Sequence, residues 1–412
     1  MNTFQGLDQK AIDNFRKYLR IPTVHPNINY GKCSLLITSM HLCLLDECVL
    51  FLKGMARELQ LDFNVFTIVP KKPVVVMSWI GQETNLSTIL LNSHMDVVPV
   101  FEDNWIHKPF AADIDDEGNI YARGAQDVKS LGIQYLEAIR RLKRGGYQPR
   151  RTVHVSFSPD EELGGADGMK VFVKSEDFAK LRIGFALDEG IPDETDFWVY
   201  YGEKVSRSVK IHCSGQAGHG ALLLSNTAGE KLSNILTSFY TFRALEKLKA
   251  ERVGMSDEVI SINLTMMKGG VQANVIPPEF VLTFDVRIPP SGDVTQFEET
   301  VRQWCKKSGD GVWVENFPKE ENVPVTKLDD GNPFWVAFKN VADNMGVKVQ
   351  TKVLNASSDA RFLRSAGVPT IGFCPHPRTP NRAHQDNEFM NVTALIDGIE
   401  AFQKILPALA DV

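Results

Sequence analysis

The chain has 412 residues, 43% of them hydrophobic, and a formal net charge of -6, enough apolar content to bury a substantial core across two or three domains. Both signs of charge are dispersed and there is no basic stripe or polybasic tail, so no nucleic-acid partner is expected. The longest apolar run, near Cys33 to Leu52, is broken by His41 and by Asp46 and Glu47; it falls short of the ~20 residues of a spanning helix, so no membrane partner is expected either.

Met1 to Asp8 lacks a charged region followed by an apolar one, so no secretory signal is expected and the protein is placed in the cytoplasm. Six cysteines without a C-x-x-C pair suit reduced thiols.

A first helix is predicted over Asp8 to Leu19, ended by the proline-punctuated Ile21 to Pro26, and a second over Val49 to Leu59. Strands come next at Phe63 to Pro70, Val74 to Ile80 and Ser87 to Asn92. After the turn Asp115 to Gly118 and a short strand at Ile120 to Arg123, Gly124-Ala125-Gln126-Asp127 leads into a helix over Lys129 to Arg144. Its Ile133, Leu136, Ile139 and Leu142 recur on one face. Arg151 to Ser158 reads as a buried strand ending in Pro159-Asp160-Glu161-Glu162. A helix at Asp167 to Val173 and a strand at Ile183 to Leu187, ending in Asp188-Glu189-Gly190, continue the alternation. Strand and helix in turn imply an α/β domain with a mostly parallel central sheet.

The pattern changes near Gly202. Strands at Val205 to His212, Val259 to Met267, Phe280 to Arg287 and Val312 to Phe317, with helices at Ala228 to Lys249 and Val294 to Ser308, make a βαββαβ unit inserted into the first domain. A helix at Pro333 to Met345, strands at Lys348 to Val353 and Thr370 to Phe373, and a last helix at Val392 to Leu406 then resume the α/β pattern. The expected division is an α/β/α domain from 1–203 and 318–412 around an α+β domain at 204–317.

Chemistry gathers at strand ends. His94 and Asp96 end an apolar run, and residues two apart share a side of an extended chain. A carboxylate there can accept the second ring N–H of a metal-binding histidine and fix its tautomer; taken alone, the pair reads more readily as a hydrogen-bonded strand end, and the carboxylates that follow shift the balance to a metal site. Asp127, Glu161, Glu162 and Glu189 also end strands or loops, and a late loop supplies His384. Such residues converge at the carboxyl edge of a parallel sheet. Two histidines and three carboxylates suffice for two zinc ions when one carboxylate bridges: His94, Asp127 and Glu189 on one, Asp127, Glu162 and His384 on the other, each with an open position. Glu161 and Glu162 cannot both face one ion if the chain is extended there, which leaves Glu161 as the base for a bridging water whose pKa falls from ~15.7 toward ~7.

Ser93-His94-Met95-Asp96-Val97-Val98-Pro99, Gly124-Ala125-Gln126-Asp127-Val128-Lys129, Asp160-Glu161-Glu162-Leu163-Gly164-Gly165, Gly218-His219-Gly220 and the late His384 resemble the co-catalytic zinc peptidases of the M20 metallopeptidase family. Tyr121 to Asp127, Ile133 to Ala138 and Phe185 to Gly190 are similar to its aminoacylase branch, and the likeness runs over almost the whole chain. The resemblance implies the same ligands, with Asp96 behind His94 and Glu161 as base. It further implies a homodimer in which His219 reaches the partner's site as oxyanion donor, with Asn274 beside the substrate. Arg361, and with it Arg287, would grip the substrate carboxylate; Arg364, one turn on, reads as a surface charge. The implied reaction is hydrolysis of N-acyl-L-amino acids by two zinc ions per subunit. A dipeptidase of the same family and a catalytically silent homologue acting in protein interaction are the alternatives.

Two stretches depart from the family pattern. Residues 33–47 have no counterpart there and read either as an in-frame intron or gene-model error, or as an apolar excursion packed on the catalytic domain. Leu222-Leu223-Leu224 stands where a more polar sequence is expected.

Overall fold

The computed structural model describes residues 3–25, 47–194, 197–254, 257–315, 317, 323–376 and 379–412; positions 33–46 of the atypical stretch lie outside them. The chain divides into two compact units, Met1–Tyr201 with Thr326–Lys352 and Ser358–Val412, and Gly202–Val325 with Val353–Ser357. Among the described residues no helix is long and apolar enough to cross a membrane.

The first unit is built on an eight-stranded sheet in the order Asp62–Val69, Lys72–Trp79, Val153–Ser158, Thr88–His94, Ile183–Asp188, Thr370–Phe373, Phe197–Glu203, Val349–Leu354. The four central strands run parallel, as expected, while Lys72–Trp79 and Phe197–Glu203 join them antiparallel. Every residue of Thr88–His94 and Val153–Ser158 is buried; the first shows this as the apolar run Ile89 to Leu91, whereas the second alternates in sequence and buries His154, Ser156 and Ser158 as well. Aromatic side chains fill the space between one face and the helices Thr3–Leu19, Lys129–Arg144 and Val392–Ala410, among them Phe15, Tyr18, Tyr135, Phe157 and Phe402; the other face is covered by Met169, Phe172 and Leu363. Each such ring contributes roughly 1.5–3 kcal/mol on burial. Lys129 is fully buried at the start of its helix, where Nζ donates to the carbonyls of Tyr18 at 3.3 Å and Ile21 at 2.7 Å, satisfying the C-terminal end of the first helix.

The register lines up the strand ends. His94 lies opposite Ser158, Leu91 opposite Leu187 and Gly372 opposite Asp188, so the parallel strands finish together along one edge.

Arg364 corrects one reading. It is buried, with Nε donating to the carbonyl of Thr370 at 3.0 Å and Nη2 to that of Tyr200 at 3.5 Å. One helical turn from Arg361, on the inward face of the short helix Ala360–Ser365, it ties that helix to the sheet. The helices Ala360–Ser365 and Glu176–Leu181 and the strand Phe197–Glu203 were not anticipated; two turns of helix carry too few residues to show a period.

The second unit holds a four-stranded antiparallel sheet, ordered Ser261–Gly269, Glu279–Ile288, Val205–Ser214, Val312–Val314. The helix Ala228–Val253 starts at a capping box between Thr227 and Glu230, and its Phe239 stacks on Phe284 at 3.9 Å in the core shared with Val294–Lys307.

Candidate dinuclear metal centre

The carboxyl edge of the parallel strands collects the acids and histidines. Thr88–His94 ends on His94 itself, Val153–Ser158 runs into a 3-10 turn at Glu161–Leu163, and Ile183–Asp188 leads directly to Glu189. Asp127 sits at the entrance to the helix Lys129–Arg144. His94 Nε2 lies 3.1 Å from Asp127 Oδ1 and 3.6 Å from Glu189 Oε2, while His384 Nε2 lies 3.0 Å from Asp127 Oδ2 and 3.1 Å from Glu162 Oε2. The two oxygens of Asp127 thus face different histidines, which is how a bridging carboxylate is disposed. Ligand atoms of His94, Glu161 and Glu189 all come within 4.8 Å of one another, as do those of His94, Asp127 and Glu162.

These residues fit a pair of divalent cations. Glu162 Oε1 is buried without a hydrogen-bond partner, an arrangement that costs about 1–3 kcal/mol or more for a charged group and that a cation would remove. The donor set, imidazole and carboxylate, suits zinc, cobalt or manganese.

The electrostatics point the same way. Burial and the neighbouring Glu189 charge push the Glu161 carboxyl well above its ordinary range, and burial pushes Glu189 up to about 8 despite the hydrogen bond from His94. Burial and the Asp127 charge raise Glu162. Burial alone would raise Asp127 too, but hydrogen bonds from His384 and His94 hold it low, and Asp127 and Glu162 together lift His384 to about 10. For His94 the surrounding Asp127, Asp96 and Glu189 outweigh burial and raise its basicity. Crowded, desolvated carboxylates of this kind create a field that favours positive charge.

Asp96 lies behind His94 but acts on it chiefly through its main chain. His94 Nδ1 donates to the backbone carbonyl of Asp96 at 2.9 Å, leaving Nε2 to face Asp127, so the tautomer is set by main chain rather than by the carboxylate, which is 3.6 Å away. The Asp96 carboxylate instead accepts the Glu161 N–H at 3.2 Å, the Glu162 N–H at 3.0 Å and His25 Nε2 at 2.9 Å. Burial opposes its ionisation, yet His25 and His94 keep it well below the usual carboxylate range. It anchors the turn that carries both glutamates. Lys72, paired with Asp160, holds the same turn from the neighbouring strand, and Gly165 within it (φ +66) lies where a Cβ would meet Phe362 Cε2 at 2.6 Å and Asp359 Oδ1 at 2.7 Å.

Arg361 donates from Nη2 to the carbonyl of Gly164 at 2.8 Å, beside that turn. In the second unit, His219 and Asn274 are neighbours: Gly218–His219 pairs with Val275–Ile276, and the Gly220 N–H donates to the Asn274 carbonyl at 2.7 Å. The Ala221 N–H donates to His219 Nδ1 at 3.1 Å, which puts the proton of the neutral ring on the exposed Nε2. Arg287 directs Nε to both oxygens of Asp285 at 3.1 Å. His25, Lys72, Asp359, Arg123 and Glu388 went unread in the sequence. Their partners lie far along the chain, and the one local signal was His25, set with Thr23 into the proline-punctuated Ile21 to Pro26 segment.

An α/β edge that gathers imidazoles and desolvated carboxylates in pairs belongs to a metal-dependent hydrolase. Residues 90–408 match peptidase family M20/M25/M40, and the chain belongs to that family. It is 41% identical to aminoacylase-1 of Homo sapiens over 98% of this chain and 96% of that one, and 37% identical to aminoacylase-1 of Dictyostelium discoideum over the whole of both. Its fold is shared with a dinuclear metal binding peptidase of the M20 family from Bacillus subtilis, at 15% identity and a TM-score of 0.68 over 98% of each chain.

Proposed function

We propose that this protein is a zinc-dependent amidohydrolase that cleaves N-acyl-L-amino acids to a carboxylate and a free L-amino acid. The observation that carries the reading is Asp127 set between His94 and His384, 3.1 and 3.0 Å from their Nε2 atoms, with Glu161 within 4.8 Å of ligand atoms of His94 and Glu189; the identity to aminoacylases over nearly the full chain supplies the substrate class. His94, Asp127 and Glu189 would hold one ion and Asp127, Glu162 and His384 the other. Bound there, zinc supplies Lewis acidity that polarises a carbonyl and makes water a nucleophile near neutral pH.

The remaining work falls to this chain's own groups. Glu161 takes a proton from the attacking water as its oxygen bonds to the acyl carbon, then delivers that proton to the amide nitrogen as the C–N bond breaks. Its desolvated carboxyl, held on the turn and free of short contacts to the histidines, can serve both directions of transfer, and such a base contributes roughly 10² to 10⁴ in rate. Asp96 keeps Glu161 in place through the backbone. Arg361, with one terminal nitrogen already on Gly164, offers the rest of its planar fork to the substrate carboxylate; Arg287 offers only its terminal nitrogens. His219, a donor at Nε2, would stabilise the oxyanion from the partner subunit, next to Asn274.

That role makes the protein a homodimer. In support, Ser261–Gly269 is an edge strand whose Met266 and Met267 are exposed, with Val271 just beyond it. Cys48, Cys213, Cys305 and Cys374 are buried free thiols, which suits the reducing cytoplasm.

The test is hydrolysis by the zinc-loaded enzyme, with metal content measured alongside. N-acetylmethionine should be cleaved and a dipeptide such as β-alanyl-histidine should not. A folded protein holding two zinc ions that leaves every N-acyl amino acid intact would remove the proposal.

A further inference from the structure

Glu388 is fully buried and lies four residues beyond His384. One of its oxygens accepts from Arg123 Nη1 at 2.7 Å and the Gly124 N–H at 3.2 Å; the other accepts the Gln126 N–H at 2.7 Å and the Asp127 N–H at 3.2 Å. Arg123, equally buried, reaches back to the carbonyls of Gln385 at 3.0 Å with Nη1 and His384 at 3.4 Å with Nη2. Gln126 adds a third tie, donating to the carbonyls of Pro380 at 3.1 Å and Phe389 at 2.8 Å and accepting the Arg382 N–H at 2.8 Å. The segment carrying Asp127 and the loop carrying His384 are therefore laced together by buried polar groups that bond to the main chain of both.

The loop needs such a restraint. His384 has φ +62, a conformation unfavourable for any residue with a Cβ, and its side chain is 57% exposed, so packing does not hold it. We propose that Glu388 and Arg123 are positioning residues that set Asp127 against His384 and so govern how tightly the ion shared by those two is held. This rests on the dinuclear reading of the cluster.

The chemistry requires these residue types. Four donors converge on the two oxygens of Glu388, so a glutamine would turn an NH₂ toward N–H groups at one end or the other. A lysine at 123 would keep the charge toward Glu388 but lacks the planar fork that also spans two carbonyls.

The experiment strips the full chain of metal and titrates it with Zn²⁺ in competition with a chromophoric chelator, with circular dichroism to confirm folding. The wild type should bind two ions. Arg123→Lys should weaken one of them by about 10- to 100-fold, the range found when groups behind metal ligands are removed, and leave the other unchanged, because only the His384 loop is released. Glu388→Gln should weaken both, since it also frees the Asp127 amide. In a His384→Ala background Arg123→Lys should have no further effect on the remaining ion. If Glu388→Gln does not fold, Arg123→Lys decides alone. Folded variants that bind two ions with wild-type affinity, or further loss in the His384→Ala background, would overturn the assignment while leaving the dinuclear reading intact; a wild type that binds fewer than two ions would overturn both.

Discussion

Glu161 and Glu162 are adjacent in sequence yet face different tasks, because the 3-10 turn at Glu161–Leu163 is pinned by Asp96 through both backbone amides. Glu162 turns one oxygen to His384 at 3.1 Å, whereas Glu161 carries no short contact to either histidine and has a carboxyl raised by burial and by Glu189. A group that must accept and return a proton needs that freedom; a ligand needs the opposite. Glu161→Gln is accordingly expected to retain both zinc ions while kcat falls by about 10² to 10⁴, read from metal analysis and turnover on the same sample. Turnover near the wild-type rate would remove Glu161 from the mechanism. His25→Ala, which deprives Asp96 of its 2.9 Å partner, should lower kcat by about 10-fold with little change in KM, because the turn loosens but the substrate contacts stay. A change confined to KM would contradict that path.

Strand ends were legible because burial on both faces writes a continuous apolar run that stops at the site: Leu90 and Leu91 before His94, Phe185 to Leu187 before Asp188 and Glu189. Element boundaries came within a few residues wherever a period or a proline marked them, as at Leu59, where the second helix ends. What resisted was anything decided by a distant partner. Arg364 looks like a surface cation until the sheet carbonyls it meets are known, and Glu388 resembles any acid in a polar loop until Arg123 closes on it. The helix Lys129–Arg144 illustrates packing the pattern leaves out. Gly132 faces the strands so closely that a Cβ would stand 2.5 Å from Phe157 Cε1 and 3.1 Å from Ser93 Oγ. Alanine is the better helix former by about 1 kcal/mol, but overpacking a rigid core costs roughly 1–3 kcal/mol, and here the obstacle is a buried ring. Gly132→Ala should therefore lower the urea midpoint and, by displacing Ser93, weaken zinc binding at the adjoining His94. An unchanged or raised midpoint would mean that the ring yields.

Across the whole molecule, two features bear on behaviour in solution. The apolar edge of the second unit predicts that Met267→Lys, placing a charge on the exposed strand, converts a dimer to a monomer in sedimentation velocity; a wild type that sediments as a monomer would sink the homodimer reading. The second feature is a pair of buried neutral histidines in the first unit. Burial pushes His154 down to about 4 and His376 down to about 3, while Ser78 Oγ lies 2.8 Å from His154 Nδ1 and Gln134 Oε1 lies 3.0 Å from His376 Nε2. In the unfolded chain both titrate near ~6.5. Above that pH neither state binds the proton and the histidines contribute nothing to the pH dependence. As pH falls below ~6.5 the unfolded state takes up protons that the folded state refuses, so stability declines with pH until the folded groups titrate. For His154 the full loss is about 3 kcal/mol, reached near pH 4. His154→Gln, able to keep the hydrogen bond to Ser78, should flatten the dependence of the urea midpoint on pH between 6.5 and 4.5 relative to wild type, with the carboxylates common to both proteins cancelling in the difference. Parallel curves for the two proteins would show that His154 is protonated as readily folded as unfolded, and that water reaches it through the sheet face covered by Leu363 and Phe172.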